Sequence, residues 1–166
     1  RARRALAARG LVDADAIEAW RSADGSGEAA RMSVEALASL PLEDARSRAW
    51  ESVYSESLSN DFLTATLAGL NASSWEGDSG LDSAVDRLRP YWEAHTIGMA
   101  LRYANGVLAY GLDIDREGSV ERSVGLLRGW LDAHGDAPAQ LRRIVLEHLD
   151  AFERDERVQR RWSSGQ

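Results

Sequence analysis

Three histidines, His95, His134 and His148, are the side chains best suited to acid–base work or metal binding in this sequence. No two of them are four residues apart, and Glu147-His148 is not part of an H-E-x-x-H, so the helical face of paired imidazoles that grips zinc is missing. His148 falls at the edge of an apolar stripe and reads as a structural histidine. His134 fits a helix end, where a cation-capable ring meets the negative pole of the helix. Serines are frequent, yet none lies in a G-x-S-x-G elbow. Gly125 and Gly129 are separated by Leu-Leu-Arg on an expected helix. They suit close packing there and are not the glycine loop that cradles phosphate ahead of a helix. Asp113 and Asp115 (GLDIDREG) look like the start of a calcium loop, but the later Gly and the twelfth-position Glu are misplaced.

The arginines leave two alternatives open. Arg142 and Arg143 project from a strong helix, with Arg102 and Arg128 on others. Solvated faces and ion pairs account for such residues. The sharper alternative gives Arg102, Arg142 and Arg143 to a cavity wall, where a guanidinium fork holds the C-terminal carboxylate of a peptide.

Composition narrows the class. The chain has 166 residues, enough for one domain with a real core, and residues 1–166 read as a single helical domain. It is 44% hydrophobic and 28% charged, with a net charge of -7. That acidic balance argues against nucleic acid as a partner. Cysteine is absent, which removes disulfides, thiolate nucleophiles and Cys-based metal sites and is compatible with a cytoplasmic protein, the expected location. All the basic residues are Arg, as a GC-rich coding bias would produce. No apolar run approaches the roughly 20 residues of a membrane span, and Arg1-Ala2-Arg3-Arg4 is not followed by a signal-peptide core. Opening on Arg, in what reads as the middle of a helix, the chain is expected to be cut from the C-terminal end of a longer one.

The elements that must position these residues are helices. Gly10 sits where a left-handed cap would close the first, and Asp13 or Asp15 can open a second that carries Ile17 and Trp20 inward. Ala23 to Gly27 is a turn. Glu28 to Leu40 is a third helix, with Met32, Ala36 and Leu40 on one face. Pro41 should end it and begin the next, because proline suits a first turn. In that next helix Ala45, Ala49, Trp50, Val53 and Tyr54 make an apolar stripe. Ser59 or Asp61 can cap the one after, striped by Phe62, Thr66, Leu67 and Leu70. Asn71 to Gly80 reads as a loop holding Trp75. Leu81, Val85, Leu88 and Trp92 follow at helical spacing, with a break expected at Pro90. Tyr91, Tyr103 and Tyr110 read as half-buried packing residues. Ser119 should cap a helix striped by Val120, Val124, Leu127 and Leu131 and closed by His134 and the cap glycine Gly135. Asp136 with Pro138 opens the last, with Leu141, Ile144, Val145, Leu149 and Phe152 on its inner face. Beyond Phe152 the chain is mixed charge. No stretch alternates long enough for a strand. The fold class is therefore all-α, an irregular α-solenoid of stacked antiparallel helical hairpins, HEAT- or armadillo-like.

Four stretches carry a family resemblance. Pro41 to Asn60 (PLEDARSRAWESVYSESLSN) places a helix ending in Ala-Trp-Glu, a short acidic-serine link and Leu-Ser-Asn opening another helix. It resembles the C-terminal helical domain of the M1 family of zinc aminopeptidases, the bacterial aminopeptidase N form. Leu6 to Ala19, Pro90-Tyr91, and Trp130-Leu131 with Pro138-x-x-Leu141-Arg142-Arg143-Ile144-Val145 are similar to further blocks of that domain, in the same order. Tyr91 to Gly111 is shorter than the usual equivalent, and Ser26 to Glu35 lacks the usual wording.

The resemblance implies a parent chain that removes residues from peptide N-termini. Its zinc would lie on an H-E-x-x-H helix, and a G-A-M-E-N stretch would bind the substrate amine, both upstream of Arg1. This chain would then hold no catalytic or metal residue and no cofactor of its own. Its partners would be the upstream catalytic domain and peptide substrates, with neither nucleic acid nor membrane involved. Its role would be to enclose a chamber, with Trp20 in the apolar patch that docks on the catalytic domain. The alternative is a stand-alone α-solenoid that binds proteins.

Overall fold

Helix signals dominate the sequence, and every regular element among the described residues is a helix. The computed structural model describes residues 2–55, 57–73, 80–109 and 119–163, with side chains through residue 158 apart from that of residue 119. Trp75, Tyr110, the GLDIDREG segment, the Ser119 side chain and the Trp162 side chain fall outside that description. The chain divides into two compact units, Arg1–Ser79 and Gly80–Gln166. No helix of the described residues is long and apolar enough to cross a membrane.

The first unit holds α1 (Ala2–Ala8), α2 (Ala14–Asp24), α3 (Gly27–Ala38), α4 (Glu43–Val53) and α5 (Asn60–Ala72). Its corners follow from capping chemistry. Gly10 has φ of 65°, donates to the Ala7 carbonyl, and lets Leu11 donate back to Leu6, which satisfies two orphan carbonyls of α1. Asp13, Ser26 and Ser59 each accept from the backbone N–H three residues on and so start α2, α3 and α5. Gly25, also left-handed, ends α2 one residue before the next cap. Ala7, Ile17, Ala36, Leu40 and Ala45 then form one buried cluster drawn from α1 to α4.

Pro41 behaves differently from the expectation. It stands two residues ahead of α4, whose cap is Leu42 in extended backbone, and α3 has already ended at Ala38. The Pro41 ring instead faces Gly10: a Cβ on that glycine would lie 3.4 Å from Cγ. Glu43 and Asp44 still occupy the first turn of α4, where carboxylates favour the helix dipole.

The most extensive packing in this unit joins α3 and α5. It is close because Gly69 of α5 has no side chain. A Cβ built there would lie 2.7 Å from Ala38 Cβ and closer still to the Glu35 carbonyl oxygen. Leu63, Leu67 and Leu70 of α5 are almost fully buried.

The second unit holds α6 (Leu81–Asp86), α7 (Leu88–Ala94), α8 (Ile97–Leu108), α9 (Ser119–Ala133) and α10 (Ala139–Ser163). The break between α6 and α7 falls at Arg87, ahead of Pro90, which sits inside the first turn of α7. A proline is accommodated there because the first N–H groups of a helix have no intrahelical acceptor. Tyr91 and Tyr103, expected half-buried, are 4% and 1% exposed. Their rings stack at 3.9 Å, and Tyr103 Oη donates to the Ala84 carbonyl at 2.8 Å.

α9 ends at Ala133 with His134 directly after it, but Gly135 is not in the left-handed region, so it is not the cap glycine expected of it. The end is closed by other groups: Ala137 donates to the His134 carbonyl, and Arg142 of α10 reaches back to the same carbonyl. Gly125 and Gly129 are exposed, and a Cβ at either would meet nothing within 4 Å. Close packing is therefore not their role. α10 runs well past Phe152, through the mixed-charge segment. Arg154 pairs with Asp150 one turn back at 2.9 Å, and Glu153 receives Arg128 from α9 at 2.7 Å. Such pairs compensate in part for the missing apolar face.

Candidate functional site

The expected cavity-lining arginines take three separate places in the second unit. Arg102 is exposed on α8 and donates to the carbonyl of Gly98 on its own helix at 3.0 Å. Arg142 turns one nitrogen, Nη1, to the carbonyls of Leu131 and His134, at 3.1 and 2.7 Å, and so caps α9. Arg143, its neighbour on α10, points to solvent and pairs with Glu147 at 3.0 Å. Helix capping and an exposed i,i+4 pair account for the last two.

Two of the three histidines are also built into helix ends. His95 and His134 each follow an aromatic residue by four positions. Each stacks on it, at 3.8 Å over Tyr91 and 4.6 Å over Trp130. Each sets Nδ1 against the carbonyl of that same residue, at 3.1 and 2.9 Å. A carbonyl only accepts, so Nδ1 carries the proton in both rings. Among the described residues no group of three or more His, Cys, Asp or Glu is placed to hold a metal ion.

His148 lies half-buried beside Phe152 on α10. Burial pushes its pKa below the ordinary value, against a weaker upward pull from Glu147. The sign follows: the unfolded chain takes up this proton before the folded one does. Stability from neutral His148 is complete above about pH 6.5 and is lost as pH falls through that value toward the depressed folded one. Urea midpoints of the wild type and of His148→Gln, compared at pH 7.5 and 5.5, test this. The variant should show the smaller acid loss, and equal losses would refute the assignment.

Among the described residues of the first unit, two cavities bear on a site. One, of about 540 Å³, is polar and lies along α1 and α3. Its cations are already committed: Arg4 pairs with Glu35 at 2.6 Å, Arg31 with Glu28 at 2.6 Å, and Arg3 lies over the Trp20 ring at 5.1 Å. The Arg31 hydrogen bond holds the Glu28 carboxyl below its usual range. Trp20 thus packs against the buried cluster beneath Arg3, and among the described residues of this unit the large exposed apolar side chains are Leu6, Leu11 and Leu42.

The other cavity, about 220 Å³, is apolar and lies between α3, α4 and α5. Val34, Leu37 and Leu40 give its hydrocarbon walls, while Ala38, Ala45 and Ala49 are too small to fill it. Ser52 and Thr66 also line it, but their hydroxyl protons go to the carbonyls of Ala49 and Phe62 at 2.8 Å each. Among the described residues, Arg48 is the one charged group on the wall. It has neither an ion pair nor a hydrogen bond among the described residues, although Asp44 and Glu51 lie one turn away on either side along α4.

The Ala45–Ala49 stripe is legible in the sequence, and this cavity is not. An alanine stripe shows that a face is apolar and does not show what packs across it. No protein-family model matches the chain, and no curated protein matches it either.

Proposed function

We propose that this chain is the non-catalytic helical domain that walls the chamber of a zinc aminopeptidase, an enzyme releasing N-terminal residues from peptides. One observation carries the reading: the four stretches with the family resemblance, in family order, all lie at helix boundaries. Leu6 to Ala19 spans the Gly10 turn and the Asp13 cap, and Pro41 to Asn60 runs through α4 into the Ser59 cap. Pro90-Tyr91 lies in the first turn of α7, and Trp130 to Val145 crosses from α9 to α10. Boundaries of this kind set the angle between successive helices, so shared wording there is wording that shapes a fold. Stacked helices in a concave wall would admit short peptides, exclude folded proteins and shield the metal site from bulk water.

The coding sequence upstream of Arg1 tests the reading directly. It should encode H-E-x-x-H and G-A-M-E-N, and a stop codon or an unrelated domain there would refute the proposal. A second expected result concerns these 166 residues alone. Elemental analysis should find no stoichiometric zinc, and amino-acid anilides should not be hydrolysed; one tightly held zinc per chain would contradict the assignment of the metal to the upstream domain.

A stand-alone protein-interaction domain of α-solenoid type is the second reading. It is favoured by the exposed Leu6 and Leu11, joined by a backbone bond, and by Leu42 beside the Pro41 ring that meets Gly10. Exposed leucines of that sort suit a separate partner as well as a neighbouring domain.

A further inference from the structure

We propose that the cavity between α3, α4 and α5 binds a small apolar carboxylate, its hydrocarbon seated among Val34, Leu37, Ala45 and Ala49 and its charge at the Arg48 guanidinium. Size, lining and charge each point to that class. A dry apolar cavity of about 150 Å³ already holds a benzene ring. The space here, about 220 Å³, admits one ring or short chain with a small polar end. It falls below the several hundred Å³ usual for drug-sized ligands, which excludes larger cofactors.

The lining is selective because its polar groups are already used. With the Ser52 and Thr66 protons spent on the backbone, Arg48 is the wall's available strong donor. A guanidinium offers parallel N–H groups that match the two oxygens of a carboxylate and repels an ammonium. Arg48 also differs from Arg4, Arg21 and Arg31 of the same unit, each held by a glutamate. In a chain with a net charge of -7, an arginine on the wall of an apolar cavity, with no partner among the described residues, is a local attractor for anions. The inference stands on these residues and is independent of the chamber reading.

The test is an amide-resolved NMR titration of the chain with phenylacetate, with phenylacetamide and phenethylamine as neutral and cationic matches. Phenylacetate should shift amides of α3, α4 and α5 in a saturable way, Val34, Ala38 and Ala49 among them. The amide should bind about tenfold more weakly and the amine more weakly still. Arg48→Gln should weaken phenylacetate about tenfold while leaving phenylacetamide unchanged. Ala49→Leu fills the space and should abolish binding of both. If that variant does not fold, the smaller Ala45→Val should weaken both ligands together. Equal affinity for the three ligands, shifts centred outside these helices, or an Arg48→Gln variant with wild-type phenylacetate affinity would each overturn the proposal.

Discussion

Gly69→Ala should destabilise the first unit by about 1–3 kcal/mol, even though alanine is the better helix former. The two effects oppose each other. In an open helix interior the exchange gains close to 1 kcal/mol, because glycine loses more backbone freedom on folding. At Gly69 the added methyl would sit 2.7 Å from Ala38 Cβ and nearer still to the Glu35 carbonyl oxygen. That oxygen belongs to the backbone of α3 and cannot rotate away, so α3 and α5 must separate along their contact. Gly69→Leu should abolish the unit's cooperative fold. Gly125→Ala and Gly129→Ala are the matched comparison, since a Cβ there meets nothing within 4 Å. Both should stabilise the second unit by about 0.5–1 kcal/mol. Urea unfolding followed by amide hydrogen exchange reads the two units separately. A stabilised Gly69→Ala would mean that α3 and α5 do not approach as described.

The glycines also show what can and cannot be read from one sequence. Gly10 was legible because its signal is local: a glycine just past a run of helix formers closes the helix whatever packs on it. Asp13, Ser59 and the Ala23–Gly27 turn were legible for the same reason, as hydrogen bonds or turns that span only a few residues. Gly69 and Gly129 cannot be told apart in this way. Each lies inside a strong helix, and the difference is the backbone of α3, some thirty residues before Gly69.

The candidate site follows the same division. Arg142 stood out because it lies beside Arg143 on a strong helix, yet its partners are the Leu131 and His134 carbonyls. Arg48 did not stand out, since its interest depends on a gap left by Ala38 across the cavity from Ala45 and Ala49. The course of α10 beyond Phe152 carries a weaker signal in the sequence for a related reason. Apolar periodicity fades there, and the helix is continued by charge pairs, one of which reaches to another helix.

Tyr103→Ala should cost about 3–5 kcal/mol in the second unit, the largest loss expected there from a single side chain. Three helices meet on this residue. Its ring, 1% exposed, stacks on Tyr91 of α7, which in turn stacks on His95 at 3.8 Å, so one tyrosine of α8 supports a run of three rings. Its hydroxyl donates to the Ala84 carbonyl in the last turn of α6 at 2.8 Å. Tyr103→Phe separates the two contributions. The ring and its stack remain, and only the hydrogen bond to Ala84 is lost, which should cost about 1–3 kcal/mol through the desolvated carbonyl. His95→Ala should remove less than Tyr103→Ala, because it strips the outer ring and leaves the Tyr91–Tyr103 pair intact, a contribution of about 0.5–1.5 kcal/mol beyond area burial. Equilibrium urea unfolding of the three variants orders them. If Tyr103→Phe were as damaging as Tyr103→Ala, the hydroxyl rather than the ring would hold α6, α7 and α8 together. If His95→Ala were the worst of the three, the stack would be anchored from its partly buried outer end, contrary to the burial of Tyr103.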